Sequence, residues 1–232
     1  MEFLARGVLE ALRLVGTLDP DVIEITLRSL AVSGLACLVA ALVGIPLGAA
    51  LALRSFPGRR WVAVAVDTAM GLPPVVVGLV VVLLLARRGP LGVLQLLYEP
   101  GAMVLAQVAL ALPIVTGLTA SAVNAVDSDL RVQILALGAT PLQLAAAMLA
   151  EARQGVATAV VAGFGRVIAE VGAVMMVGGN IEHHTRVLTT ATVLEARQGN
   201  YERAIALGLV LMVLAFAVNV VLATARSDVR RP

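Results

Sequence analysis

Apolar runs of roughly twenty residues alternate along this chain with short stretches rich in arginine, acidic residues, glycine and proline. A helical run of about that length matches the hydrocarbon thickness of a bilayer. The pattern predicts five membrane-spanning helices: about Thr26 to Leu53, Trp61 to Ala86, Met103 to Val126, Val156 to Val177, and Ala204 to Ala225. Within the first, Gly44 and Gly48 lie four apart, which lets a neighbouring helix approach closely. Pro46 between them predicts an interruption or kink. In the second, Pro73 and Pro74 remove two successive backbone donors, so a bend or break is expected where protein or water lines it. Pro113 lies inside the third span. Ahead of the first, residues 3 to 15 place Leu4, Val8, Leu12 and Val15 on one stripe and Arg6, Glu10 and Arg13 on another. Such a segment is too short and too charged to span, and is expected to lie in the interface. An acidic connector, Thr17 to Glu24, follows it. The first residues lack a basic start and an apolar core, so the first span itself is expected to direct insertion.

Composition supports lipid as the solvent for much of this surface. Hydrophobic residues make up 60% of the chain and charged residues 14%, against about a quarter charged in soluble domains. The expected fold is therefore all-α and polytopic. It is a single domain over residues 1–232, with a core of about 25–225 and one long semi-polar loop, 127–153. The formal charge of +2 comes from arginine alone, because lysine is absent. Those arginines cluster at span ends and read as interface anchors rather than as a nucleic-acid surface. The Arg54 to Arg60 turn and the Arg226 to Arg231 tail carry three arginines each. The positive-inside rule then puts the C-terminus and the 127–153 loop in the cytoplasm and the N-terminus outside. Over all loops the arginines split eight and eight, so the short turn and the tail carry that assignment.

Without lysine, a glycine-rich phosphate loop ending in Lys-Ser or Lys-Thr cannot exist here. No His-Glu-x-x-His or Gly-x-Ser-x-Gly sequence occurs either. No catalytic set, cofactor or metal is expected, and any energy source must be a partner. Cys37 reads as a small packing residue. His183-His184 follows Glu182, but three consecutive residues rarely converge on one ion, so a solvated loop is expected. The segment Asn180 to Arg203 mixes Glu182, Arg186, Glu195, Arg197, Glu202 and Arg203, which suits a polar, transient interface.

The 127–153 loop is long for a connector, and it is patterned. Asp127 or Ser128 can cap a short helix through about Leu137. Gly138 supplies a sharp reversal. Thr140-Pro141 forms a cap and first turn for a second helix, Leu142 to Arg153. Two readings fit: a rigid lever for a cytosolic partner, or an interfacial helical hairpin without one.

Leu137-Gly138-Ala139, about 40 residues before Gly178-Gly179-Asn180, resembles the coupling-loop region of binding-protein-dependent ABC importer permeases of type I. Leu72 to Gly78 resembles the proline-rich span of the molybdate, sulfate and tungstate branch. Ile168 to Ile181 with Thr185 to Ala191 is most similar to tungstate permeases. The resemblance covers about residues 25 to 225. It implies an oxyanion importer: a homodimer of this chain in the cell membrane, cytoplasmic ATPase subunits and an extracytoplasmic substrate-binding protein. It also implies that Leu130, Arg131, Val132, Gln133, Ile134, Leu137, Gly138, Ala139, Thr140 and Pro141 form the coupling segment. Where the family carries Glu-Ala-Ala, this chain has Val132-Gln133-Ile134, so its polar grip on the ATPase must differ.

Within the spans, Arg166 and Glu170 lie four apart on one helical face. A charge in the bilayer core needs a partner or water. A structural ion pair, shared with Asp67 of the second span, is the expectation; a polar lining of the transport path is the alternative. Pro73, Pro74, Gly178, Gly179 and Asn180 are the candidates for path and gate, although Gly178-Gly179 also fits an ordinary helix end. An ion-coupled secondary transporter with Asp67, Arg166 and Glu170 as a relay is the different-class alternative. It should carry an inverted repeat, and none is visible.

Overall fold

The computed structural model describes residues 2–17 and 19–227, with side chains described for residues 6–14, 16–17 and 19–220. Eleven α-helices and one 3-10 turn, and no strand, make up these residues. Three helices are long and apolar enough to cross a membrane: α2 (Pro20–Leu53), α5 (Pro100–Asn124) and the Tyr201–Val220 part of α11 (Tyr201–Ser227). Two bent pairs complete five crossings if each crosses once: α3 (Arg59–Met70) with α4 (Pro74–Leu85), and α7 (Pro141–Glu151) with α8 (Arg153–Ile168). The remaining elements are α1 (Glu2–Gly16), the 3-10 turn Gly92–Leu94, α6 (Ser128–Ala136), α9 (Gly172–Gly178) and α10 (Leu188–Arg197).

α2 starts where Asp19 accepts backbone N–H bonds from Asp21 and Val22, both at 3.1 Å, with Pro20 in the first turn. It runs unbroken through Pro46, so the expected interruption at 44–48 is instead a packing contact. A Cβ at Gly44 would meet Val115 at 3.0 Å, and one at Gly48 would meet the Thr116 carbonyl oxygen at 2.5 Å. α5 thus lies in van der Waals contact with the α2 backbone. Around this pair, Ala40, Val77, Leu85, Met103, Val115 and Val174 form the main core.

The second crossing breaks at Pro73-Pro74, as expected, and turns through 104°. The fourth departs from the expected continuous helix Val156 to Val177. α8 begins at Arg153 and stops at Ile168, and α9 restarts at Gly172. No proline lies between; Glu170 is held by contacts described below, and these fix the break.

Packing within the chain adds detail at both ends of the sequence. α1 packs across α11 through Gly7, Ala11 and Leu14, with Val22, Leu188 and Leu207 completing that cluster. Val8 and Leu12 of the apolar stripe point away from the protein, as in a helix whose stripe meets the membrane interface; Leu4 and Val15 lie outside the described side chains. Small residues let α1 approach α11, which leaves the bulky ones on the free side. The polar segment after Asn180 contains α10, whose Leu188, Thr189, Thr190 and Ala191 are buried. Its charges are mostly satisfied within the chain: Arg186 pairs with Glu182 at 3.1 Å, Arg203 with Glu195 at 3.6 Å, and Arg6 with Glu202 at 3.4 Å.

Candidate functional site

The 127–153 segment forms a helix–turn–helix. Asp127 accepts the Asp129 N–H at 2.9 Å and caps α6. Gly138 makes the reversal at φ +81°, a left-handed conformation that a β-carbon resists. Thr140 and Gln143 then form a reciprocal capping box, with Pro141 in the first turn of α7. On the inner side, Leu144 and Met148 bury against Leu51, Ala120 and Val123, with Ile134 beside them. On the outer side stand Val132, Leu135, Leu137 and Leu142; Leu137 is 88% exposed and Leu142 80%. Apolar side chains this exposed on a capped, well-packed hairpin form a surface suited to a partner.

Arg131 belongs to this segment, yet its guanidinium turns inward and donates to the Leu53 carbonyl at 2.8 Å. Arg59 donates to the Leu51 carbonyl at 2.7 Å. The last carbonyls of a helix have no intrahelical partner and carry partial negative charge. Two guanidinium groups satisfy them here, and one of them fastens α6 to the end of α2.

The path candidates fall into two places. Pro73 is exposed at the α3–α4 bend, and its carbonyl accepts the Val76 N–H at 3.0 Å. Past the bend, α4 lies close against α9: a Cβ at Gly78 would be 2.8 Å from the Ala173 Cα, and one at Gly172 would be 3.0 Å from Val75. The breaks at Pro73-Pro74 and Glu170-Val171 therefore face each other. Gly178, Gly179 and Asn180 sit at the other end of α9, about 9 Å away at roughly 1.5 Å per residue. There Gly179 (φ +71°) ends the helix, and Asn180 follows at φ +52°. The Thr185 hydroxyl donates to the Gly178 carbonyl and accepts the Ile181 N–H at 2.9 Å. Met103 and Tyr98 crowd the two glycines. This turn is a packed helix end.

The intramembrane charges form a pair, not a triad. Arg166 Nη1 lies 4.0 Å from Glu170 Oε2. Glu170 is 5% exposed; its other oxygen accepts the Ala173 N–H at 3.1 Å, and its carbonyl accepts the Thr189 hydroxyl at 2.9 Å. It thereby caps α9 and ties the break to α10. Asp67 is exposed on α3 beside Gly117 and takes part in no ion pair among the described residues. The expected sharing fails because the 104° bend places Asp67 on the far arm of its span. A contributor that periodicity did not single out is Gln107. It is buried in α5 and donates from Nε2 to the Val167 carbonyl at 3.0 Å, just before the break. Its one signal in the sequence is an amide inside an otherwise apolar run.

His183 and His184 are not freely solvated. His183 Nδ1 lies 2.9 Å from Glu24 of α2, and His184 Nε2 lies 2.9 Å from Glu99, the residue before α5. Arg28 adds bonds to the His183 carbonyl at 2.8 Å and the Arg186 carbonyl at 3.1 Å. The 181–186 turn thus clasps α2 and α5 at the end opposite the 127–153 loop. The hydrogen bond to Glu24, and its charge, raise the pKa of His183. A raised histidine pKa stabilises the fold fully below the unfolded value, about 6.5, and the gain is lost as pH rises through the folded value. The purified protein should melt at a slightly higher temperature near pH 6 than near pH 8.5, and His183→Gln should shrink that difference. A thermal shift series checks this; an unchanged difference in the variant would assign the pH effect elsewhere.

The sequence matches the model of the family described as binding-protein-dependent transport system inner membrane component over residues 44–231. A probable anion ABC transporter permease protein of Haloferax volcanii is 46% identical over 202 residues, spanning 85% of this chain and 87% of the relative. The tungstate uptake system permease protein TupB of Peptoclostridium acidaminophilum is 43% identical over 222 residues, spanning 96% and 97%. Among solved structures, the MetNI methionine ABC transporter in inward-facing conformations superposes with a TM-score of 0.76 at 17% identity, covering 93% of this chain and 99% of that one. At that identity the likeness is one of fold, that of the type I importer permeases. This chain belongs to the binding-protein-dependent transport system inner membrane component family, and it is a multi-pass membrane transport component.

Proposed function

We propose that this chain is the permease subunit of an ATP-driven importer of a tetrahedral oxyanion, tungstate foremost and molybdate or sulfate next. The observation that carries this reading is the 43% identity, over nearly the whole of both chains, with a permease of a tungstate uptake system. Two copies enclose one path, since a five-crossing bundle supplies only half of it. Each copy docks a cytoplasmic ATPase subunit through the exposed side chains of α6 and α7. A binding protein delivers the anion at the opposite face, near the clasp of His183 and His184. The N-terminus is outside, and the 54–60 turn, the 127–153 loop and the C-terminus are cytoplasmic.

ATPase closure moves the loop helices, and this movement switches access to the path. Arg131 links that movement to α2, and the Gly44–Gly48 contact carries it on to α5. The α3–α4 bend at Pro73-Pro74 is the hinge of the gate, and the Gly178–Asn180 turn is its fixed outer support. Uptake by proteoliposomes holding the permease, the ATPase and the binding protein tests the reading. Labelled molybdate should enter only with ATP, without any ion gradient, and unlabelled tungstate should compete. Uptake driven by a proton or sodium gradient without ATP would instead favour a secondary transporter relaying charge through Asp67, Arg166 and Glu170.

A further inference from the structure

Arg166 stands about 20 Å along α8 from Arg153, at roughly 1.5 Å per residue, well inside the apolar part of the chain. A guanidinium has five N–H donors. Among the described residues none of them makes a hydrogen bond; the one recorded polar contact is Glu170 at 4.0 Å, beyond hydrogen-bond range. Glu170 cannot close that gap freely, because its other oxygen holds the Ala173 N–H at the start of α9. The Arg166 side chain is 37% exposed. Hydrocarbon cannot satisfy such donors, so the exposed part must face something polar.

The rest of that helix face agrees. The exposed residues of α8 and its C-cap are Arg153, Gln154, Thr158, Ala162 and Ala169, none of them a large apolar side chain. Past its first turn, the exposed residues of α11 are Met212, Val213, Phe216, Ala217 and Val220, which suit lipid. The Arg166 face of α8 therefore differs in chemistry from a lipid-facing surface. A planar fork of free donors matches a tetrahedral oxyanion, which it can grip with two parallel bonds. A buried carboxylate 4.0 Å away weakens that grip, so the anion is not trapped.

We propose that Arg166 is a transient contact for the oxyanion in the translocation path, and that Glu170 positions it and keeps the contact weak. This rests on the oxyanion-permease reading above. The test compares wild type, Arg166→Gln combined with Glu170→Gln, and Glu170→Gln alone, each reconstituted with the ATPase and binding protein. In the double variant both charges vanish together, while the new amide oxygen at 170 can still accept the Ala173 N–H. It should assemble with the ATPase and lose labelled-molybdate uptake by about tenfold or more. Glu170→Gln alone should lower both KM and the maximal rate, the mark of a grip made too tight. The inference is overturned if the double variant transports like wild type. It is equally overturned if the double variant fails to assemble, since the pair is then structural, or if Glu170→Gln leaves KM unchanged. A wild-type complex that moves no oxyanion removes the oxyanion reading itself, and this inference with it.

Discussion

Gly48→Val abolishes accumulation of folded protein in the membrane. A β-carbon at position 48 would lie 2.5 Å from the Thr116 carbonyl oxygen, 2.7 Å from the Thr119 Cβ and 3.1 Å from the Ala120 nitrogen. Two of these are backbone atoms of α5, which no rotamer change can move aside. The two helices must separate along the seam that anchors the main core. Overpacking typically costs about 1–3 kcal/mol where side chains can adjust, and more is expected against a rigid backbone. Valine at position 34 is the control: Gly34 lies in the same helix, and a β-carbon there meets nothing within 4 Å. Membrane yield and size-exclusion profile read the outcome. Comparable yields for the two variants would show that the Gly48 seam is not needed for folding.

Leu137→Glu combined with Leu142→Glu leaves the permease folded and abolishes capture of the proposed cytoplasmic ATPase. Both side chains are almost fully exposed, at the tip of the hairpin, so folding loses little when they change. In a docked complex each buried leucine would contribute about 1.5–3 kcal/mol, and glutamate would add a desolvation cost. Co-purification should fall by at least about tenfold, with the size-exclusion profile of the permease alone unchanged. Leu144→Glu should do the reverse, damaging the fold first, because Leu144 is packed against Leu51 and Val123. Full ATPase capture by the Leu137/Leu142 variant would sink the proposed role of this surface.

What could be read in advance follows the range of the forces involved. The 127–153 hairpin was legible because caps, a positive-φ glycine and a first-turn proline all act within a few residues: Asp127, Gly138, Thr140 and Pro141 do what their types dictate. The bend at Pro73-Pro74 was legible for the same reason. The break before α9 was not. Ile168 to Gly172 contains no proline, and the helix stops there because Glu170 answers to Ala173, Thr189 and Arg166 at once. The pairing of His183 with Glu24 and of His184 with Glu99 joins residues 159 and 85 positions apart, beyond any local pattern. Asp67 falls outside the pair because the prolines foretell a bend but not its direction, and the 104° turn sets α3 apart from α8 and α9. The seam of α1 with α11 is not legible either, because close approach selects Gly7 and Ala11, which carry no bulk to mark it.

The bond from Arg131 to the Leu53 carbonyl bears on how the complex forms. The hairpin is held by the permease itself, so its shape does not depend on the proposed ATPase partner. A landing site that is already shaped loses little conformational entropy on capture, and the encounter can proceed close to rigid-body docking. In the proposed complex, the absence of an acidic residue at Val132-Gln133-Ile134 would then cost alignment little, and assembly would be limited by how often the two subunits meet.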